Sequence, residues 1–275
     1  MNDPEGLDSD LPEAPPRPRR KGIYVLPNLF TLAALFGGFY SIVMAMNGRF
    51  EHAVYGVFAA MVLDSLDGRV ARMTHTQSAF GEQMDSLSDM VSFGAAPALI
   101  VYEWALKGIG KAGWIAAFVY CACAALRLAR FNTNIGVVDK RFFQGLPSPA
   151  AAAVVMGFIW IMDDQGFREG VRDIGWLVWL TFGITLYAGL TMVTNVPFYS
   201  FKDLSLKRSV PFIVIVAIAL GIALINLHAP GMMFALFMAY GLSGYAMYVY
   251  RRVKGKPVSV IATSTDEPDE AGLHR

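Results

Sequence analysis

The sequence predicts an all-α integral membrane protein, a bundle of about eight transmembrane helices with a cavity open to the cytoplasm. Three observations lead there. Of the 275 residues, 55% are hydrophobic and only 16% are charged, whereas a soluble globule carries roughly a quarter of its residues as charges. The apolar residues gather into runs that approach or reach the length of about 20 residues a helix needs to cross a hydrocarbon core. The basic residues concentrate in alternate loops, as they do in multi-pass proteins.

The elements follow in order. Residues 1–22, "MNDPEGLDSDLPEAPPRPRRKG", are acidic and then rich in proline and arginine. They lack the basic, apolar, small-residue order of a secretion signal, so a disordered cytoplasmic tail is expected. Eight apolar spans come next, at 24–46, 51–72, 86–105, 112–131, 148–163, 175–196, 209–227 and 230–250, and make one membrane domain over 23–252. In the first, Ala33, Gly37 and Ser41 stand four apart and allow close helix approach. The second and third are polar at one end and the fifth is short. Residues 253–275 are polar without helical periodicity and read as a second disordered cytoplasmic tail. Cys121 and Cys123 are two apart in an apolar run. Such residues face different ways on a helix, which points to packing and not to a disulfide or a metal site.

Orientation rests on the basic residues. With the N-terminus inside, eighteen of the 23 Lys and Arg residues fall on the inner side, and Arg49, Lys107, Lys111, Arg168 and Arg172 fall outside. That bias supports an even number of spans, both termini cytoplasmic, in the cell membrane.

Against this apolar background the stretch "LDSLDGRVARMTHTQSAFGEQMDSLSD" carries Asp64, Asp67, Glu82, Asp85 and Asp89. Asp64 and Asp67 are three apart and Asp85 and Asp89 four apart, so each pair shares a helix face. Two like-charged pairs meeting across a helical hairpin repel strongly where the dielectric is low. A cation between them removes the conflict. Ligands that are all oxygen suit a hard divalent ion, Mg²⁺ or Mn²⁺, and four carboxylates accommodate two. Gly68 leaves room beside Asp67, Gly81 stands four before Asp85, and Arg72 offers a planar donor fork to phosphate. Taken singly, a glycine here is packing and an arginine at a helix end is snorkelling; together they point to a bound phosphate group.

The run Asp64-x2-Asp67-Gly68-x2-Ala71-Arg72-x8-Gly81-x3-Asp85-x3-Asp89 resembles, without a departure, the signature of the CDP-alcohol phosphatidyltransferase family. The resemblance implies a helical membrane enzyme with Asp64, Asp67 and Asp85 as metal ligands and Asp89 as ligand, general base or both. Gly68, Ala71, Arg72 and Gly81 would shape the site for the CDP group. It also implies CDP-diacylglycerol as donor, membrane lipids as surroundings, a homodimer, and no nucleic-acid partner.

Three further stretches, "LPNLFTLAALFGG", "LRLARFN" and "GLPSPAAA", resemble the serine-accepting branch of that family, whose reaction gives phosphatidylserine and CMP. Asn28 and Thr31, three apart at the start of the first span, are either helix caps or contacts to the nucleotide. Arg127 and Arg130, three apart on one face, either snorkel to headgroups or bind the serine carboxylate, which needs fixed positive charge among so many aspartates. Lys202 is a further serine-binding candidate, or a loop lysine obeying the positive-inside bias. Ser148 reads as a helix cap. His75 lies between the aspartate pairs outside the signature, as does Glu82.

Other acceptors, namely glycerol 3-phosphate, inositol or choline, are the alternative within the family. An ion or proton transporter would also place carboxylates in membrane helices, but these acids lie toward one interface and no paired interrupted helices occur at mid-span. None of His52, His75, His228 and His274 is followed two residues later by Lys, so a phosphohistidine route is not expected and direct displacement is.

Overall fold

The structure is a computed structural model that describes residues 25–74, 76, 78–133, 142–167, 170–171, 175–200, 221 and 228–254. Lys202, His75, the expected span at 209–227 apart from Gly221, and the expected tails apart from Val253 and Lys254 lie outside these residues.

Helices α1 (Val25–Met46) and α2 (Phe50–Thr74) form a hairpin. Helix α3 (Ala79–Asp89) runs through a π-helical turn (Met90–Ala95) into α4 (Ala96–Trp104). A 3₁₀ turn, Leu106–Ile109, leads to α5 (Lys111–Thr133). Strand β1 (Phe142–Gln144), α6 (Ser148–Asp164), α7 (Gly175–Val193), β2 (Pro197–Tyr199) and α8 (Ala229–Val253) complete the described chain. The expected span boundaries recur within a few residues for α1, α2, α5, α6, α7 and α8. The third expected span, 86–105, begins earlier, at Ala79, because Ser78 caps it: its hydroxyl accepts the Gly81 N–H at 3.0 Å.

The described protein is a mostly helical membrane protein. Among the described residues four helices are long and apolar enough to cross a bilayer: Pro27–Met46, Lys111–Thr133, Gly175–Val193 and Ala229–Val253. Helix α2 has the length but carries the charged residues of the aspartate motif at its C-terminal end. Helix α6 is apolar on every side and is the core, its run Ala150–Ile159 wholly buried against α2, α4, α7 and α8, the expected fate of a helix with no polar face.

A small ribbon accompanies the helices of this mostly helical protein. Strands β1 and β2 pair antiparallel, with Phe142 opposite Tyr199, Phe143 opposite Phe198 and Gln144 opposite Pro197. Three residues are too few for an alternation to stand out in a sequence. Gly145 ends β1 with φ +77° and donates its N–H to the Val196 carbonyl at 2.9 Å, a conformation that disfavours any side chain.

Close approach of α1 fixes the upper part of the bundle. A methyl on Gly38 would stand 2.7 Å from the Ser92 Cα, and one on Gly37 would stand 3.0 Å from the Gly56 carbonyl oxygen. The Gly38 contact has no room for a side chain, and the Gly37 contact, within the small-residue stripe, is tight enough that a neighbour would have to give. Two buried hydroxyls then lock α1 to the chain beyond α2: Ser88 Oγ donates to the Thr31 carbonyl at 3.1 Å and Ser92 Oγ to the Ala34 carbonyl at 3.0 Å.

Candidate active site

The α1–α2 hairpin and α3 bring the aspartates together. One carboxylate oxygen from each of Asp64, Asp67 and Asp85 lies within 4.8 Å of the other two. Asp89, one turn beyond Asp85, sets its carboxylate against that of Asp64. Its Oδ1 is buried and has no hydrogen-bond partner. An unpaired, buried acceptor beside three more carboxylates is costly unless a cation joins them. The donor set is all oxygen, which fits a hard divalent ion.

Thr31 shows how α1 serves this cluster. Its buried hydroxyl donates to Asp67 Oδ2 at 2.7 Å across the helix pair, and Asp67 is only 5% exposed. Asn28 is on the same helix one turn earlier, and a methyl on Gly81 would come 3.4 Å from its Oδ1. Both α1 residues thus belong to the walls of the motif. A side chain at Gly68 would meet nothing within 4 Å, so space lies beside Asp67. Arg72 and Glu82 are exposed, and Ala71 is half-buried.

The two arginines of α5 differ. Arg127 is buried, donates from Nη1 to Ser148 Oγ at 2.7 Å, and lies close enough to Asp89 for their charges to interact. Arg130 instead donates to the carbonyls of Gln144 (3.0 Å), Met192 (3.2 Å), Val193 (3.1 Å) and Thr194 (3.4 Å) and to Asn195 Oδ1 (3.2 Å). It closes the C-terminal end of α7 and holds β1 to it. The i,i+3 spacing put both on one face, but could not show that one would lie near Asp89 and the other at a helix end.

Sequence reasoning missed three participants. Ser148, expected as a cap, makes no capping bond and is instead the partner of Arg127. Asn132 Nδ2 donates to Ser86 Oγ at 2.9 Å, tying the end of α5 to α3. Tyr120, in the middle of α5, donates to the Phe93 carbonyl at 3.0 Å in the turn after Asp89. Nothing in the local pattern marks these residues, since each acts across helices.

Carboxylates from two neighbouring helices, a buried arginine behind them and open space at a glycine define a helical membrane enzyme of the kind that handles phosphate esters. The family model described as CDP-alcohol phosphatidyltransferase matches residues 24–194, and the chain belongs to that family. Among its relatives is a protein of Helicobacter pylori (strain J99 / ATCC 700824) named CDP-diacylglycerol--serine O-phosphatidyltransferase. It is 36% identical over 221 residues, covering 80% of this chain and 90% of the relative. Proteins of the same name occur in Methanocaldococcus jannaschii, 33% identical over 190 residues (69% of this chain, 82% of the relative), and in Saccharomyces cerevisiae, 36% identical over 146 residues (48% and 52%).

Proposed function

We propose that the protein transfers the phosphatidyl group of CDP-diacylglycerol to L-serine, giving phosphatidylserine and CMP by direct displacement. The observation that carries this reading is the convergence of Asp64, Asp67 and Asp85 within 4.8 Å, beside an Asp89 whose Oδ1 has no partner. The relatives' shared name supports serine as the acceptor.

Asp64, Asp67, Asp85 and Asp89 would hold two divalent ions, Mg²⁺ or Mn²⁺. Bound there, such ions supply positive charge against the diphosphate and the departing CMP. Asn28, Thr31, Gly68, Ala71, Arg72 and Gly81 shape the nucleotide end, with Gly68 leaving the room. Asp89 accepts the proton of the serine hydroxyl as its oxygen forms the new bond to the lipid-side phosphorus and the bond to CMP breaks. Arg127 pairs with the serine carboxylate, which would otherwise be repelled by the aspartates. Lys202 remains a second candidate for that role, while Arg130 holds the wall behind it.

The same reading has eight spans in the cell membrane with both termini and the site cavity cytoplasmic. Its donor keeps the acyl chains in the bilayer and the diphosphate at the interface. The working unit is a homodimer.

Purified protein given CDP-diacylglycerol and a panel of alcohols should make phosphatidylserine and nothing from glycerol 3-phosphate, inositol or choline, and only with a divalent ion. With labelled CMP and no serine, no label should enter the liponucleotide; appreciable exchange would indicate a covalent lipid intermediate instead. Thr31→Val keeps the side-chain shape but removes the hydroxyl that donates to Asp67. Its kcat should fall about tenfold, the scale of one hydrogen bond to a charged group, and its melting temperature should fall as well, because a buried carboxylate loses a donor.

A further inference from the structure

The chain after Asp89 reads "MVSFGAAPA", and its backbone departs from the α-helix there. Over Met90–Ala95 it makes a π-helical turn, and the Ala96 N–H donates to the Val91 carbonyl, five residues back. The cause is one residue further on. In an α-helix the Phe93 carbonyl would accept from residue 97, but Pro97 has no N–H and its ring would collide with that carbonyl. A wider turn relieves the collision yet leaves the Phe93 oxygen without its usual donor. Phe93 is fully buried, so water cannot serve as the donor. The hydroxyl of Tyr120 does so at 3.0 Å, and Tyr120 is itself 0% exposed.

That turn sets how the aspartates meet. A π turn inserts about one extra residue and so rotates the helix before it relative to the helix after it. Helix α4 is fixed by burial of Ala96, Ile100, Val101 and Trp104. The rotation therefore falls on α3, whose last residue is Asp89. Ser92 and Ser88 hold the same stretch to α1 through the Ala34 and Thr31 carbonyls, and Thr31 in turn donates to Asp67.

We infer that Tyr120 is a positioning residue for the reaction: its hydroxyl replaces the backbone donor lost at Pro97, holds the π turn open, and so aims Asp89 at the other carboxylates. Tyr120 touches no reacting atom. The inference rests on the reading of Asp89 as the proton acceptor.

The test is a cycle of Tyr120→Phe and Pro97→Ala, with Asp89→Asn alongside, scored by kcat, by KM for both substrates, and by melting temperature in detergent. Tyr120→Phe should lower kcat about tenfold, leave both KM values within about twofold, and lower the melting temperature. In the Pro97→Ala background residue 97 again has an N–H for the Phe93 carbonyl, so Tyr120→Phe should then change kcat by less than about twofold and leave the melting temperature in place. A multiplicative double variant, or a wild-type kcat in Tyr120→Phe while Asp89→Asn is inactive, overturns the inference. Coupling in melting temperature together with an active Asp89→Asn enzyme refutes the role of Asp89 and with it the catalytic half of the inference. If Pro97→Ala is itself inactive, the melting-temperature half of the cycle decides, and additivity there refutes the hydrogen-bond exchange.

Discussion

Asp64→Asn, Asp67→Asn and Asp85→Asn should each lower turnover by about a thousandfold, which corresponds to about 4 kcal/mol of lost transition-state stabilisation. Each substitution keeps the side-chain volume and removes one anionic oxygen from the group that lies within 4.8 Å. The neutral amide is a poor ligand for a hard ion and can still accept a hydrogen bond. Activation by added metal should therefore weaken along with the rate. The bundle should not unfold, since relieving repulsion among crowded carboxylates offsets what is lost. Asp89→Asn should be equally inactive for a different reason: the amide cannot take a proton, so CDP-diacylglycerol binding should persist while chemistry stops. Equilibrium binding of a labelled CDP ligand beside initial rates separates the two cases. Near-normal rates in Asp89→Asn would remove it from the proton transfer.

The aspartate cluster was legible in the sequence because charges are rare in this chain and helical spacing alone assigns them to faces. Three and four residues of separation put Asp64 with Asp67 and Asp85 with Asp89, and the polar ends of two adjacent spans supplied the hairpin. The ends of α1, α2, α5, α6, α7 and α8 were legible for the same reason, since apolar runs must end where charge begins. Cross-helix partners were not legible. Ser148 sits 21 residues from Arg127 and Tyr120 sits 27 from Phe93, and each is chosen by packing that no local period records. A proline inside a helix, Pro97 here, leaves a carbonyl four residues earlier in need of a donor. Its partner on α5 could be found only in three dimensions. The ribbon of β1 and β2 was hidden likewise, its strands lying more than fifty residues apart.

Arg127 carries the second large expected effect. It is buried, with Nη1 on Ser148 and close enough to Asp89 for the two charges to interact, so it supplies positive charge inside an acidic site where headgroup contact is not available to it. Substitution to Gln removes that charge and should raise KM for serine about a hundredfold, roughly two charge-assisted hydrogen bonds to a carboxylate. KM for CDP-diacylglycerol should change by less than about threefold, because the proposed function has the nucleotide held from the α1, α2 and α3 side. Arg127→Lys should fall between, since the ammonium keeps the charge but loses the planar fork that reaches Ser148 and substrate together. Arg130→Lys should behave in the opposite way: its donors meet carbonyls at the end of α7 and in β1, so the melting temperature should drop while KM for serine holds. Serine saturation curves with thermal melts for the four proteins read both patterns. An Arg127→Gln enzyme with unaltered serine KM would mean that another cation, Lys202 first, meets the acceptor's carboxylate, or that the acceptor has none.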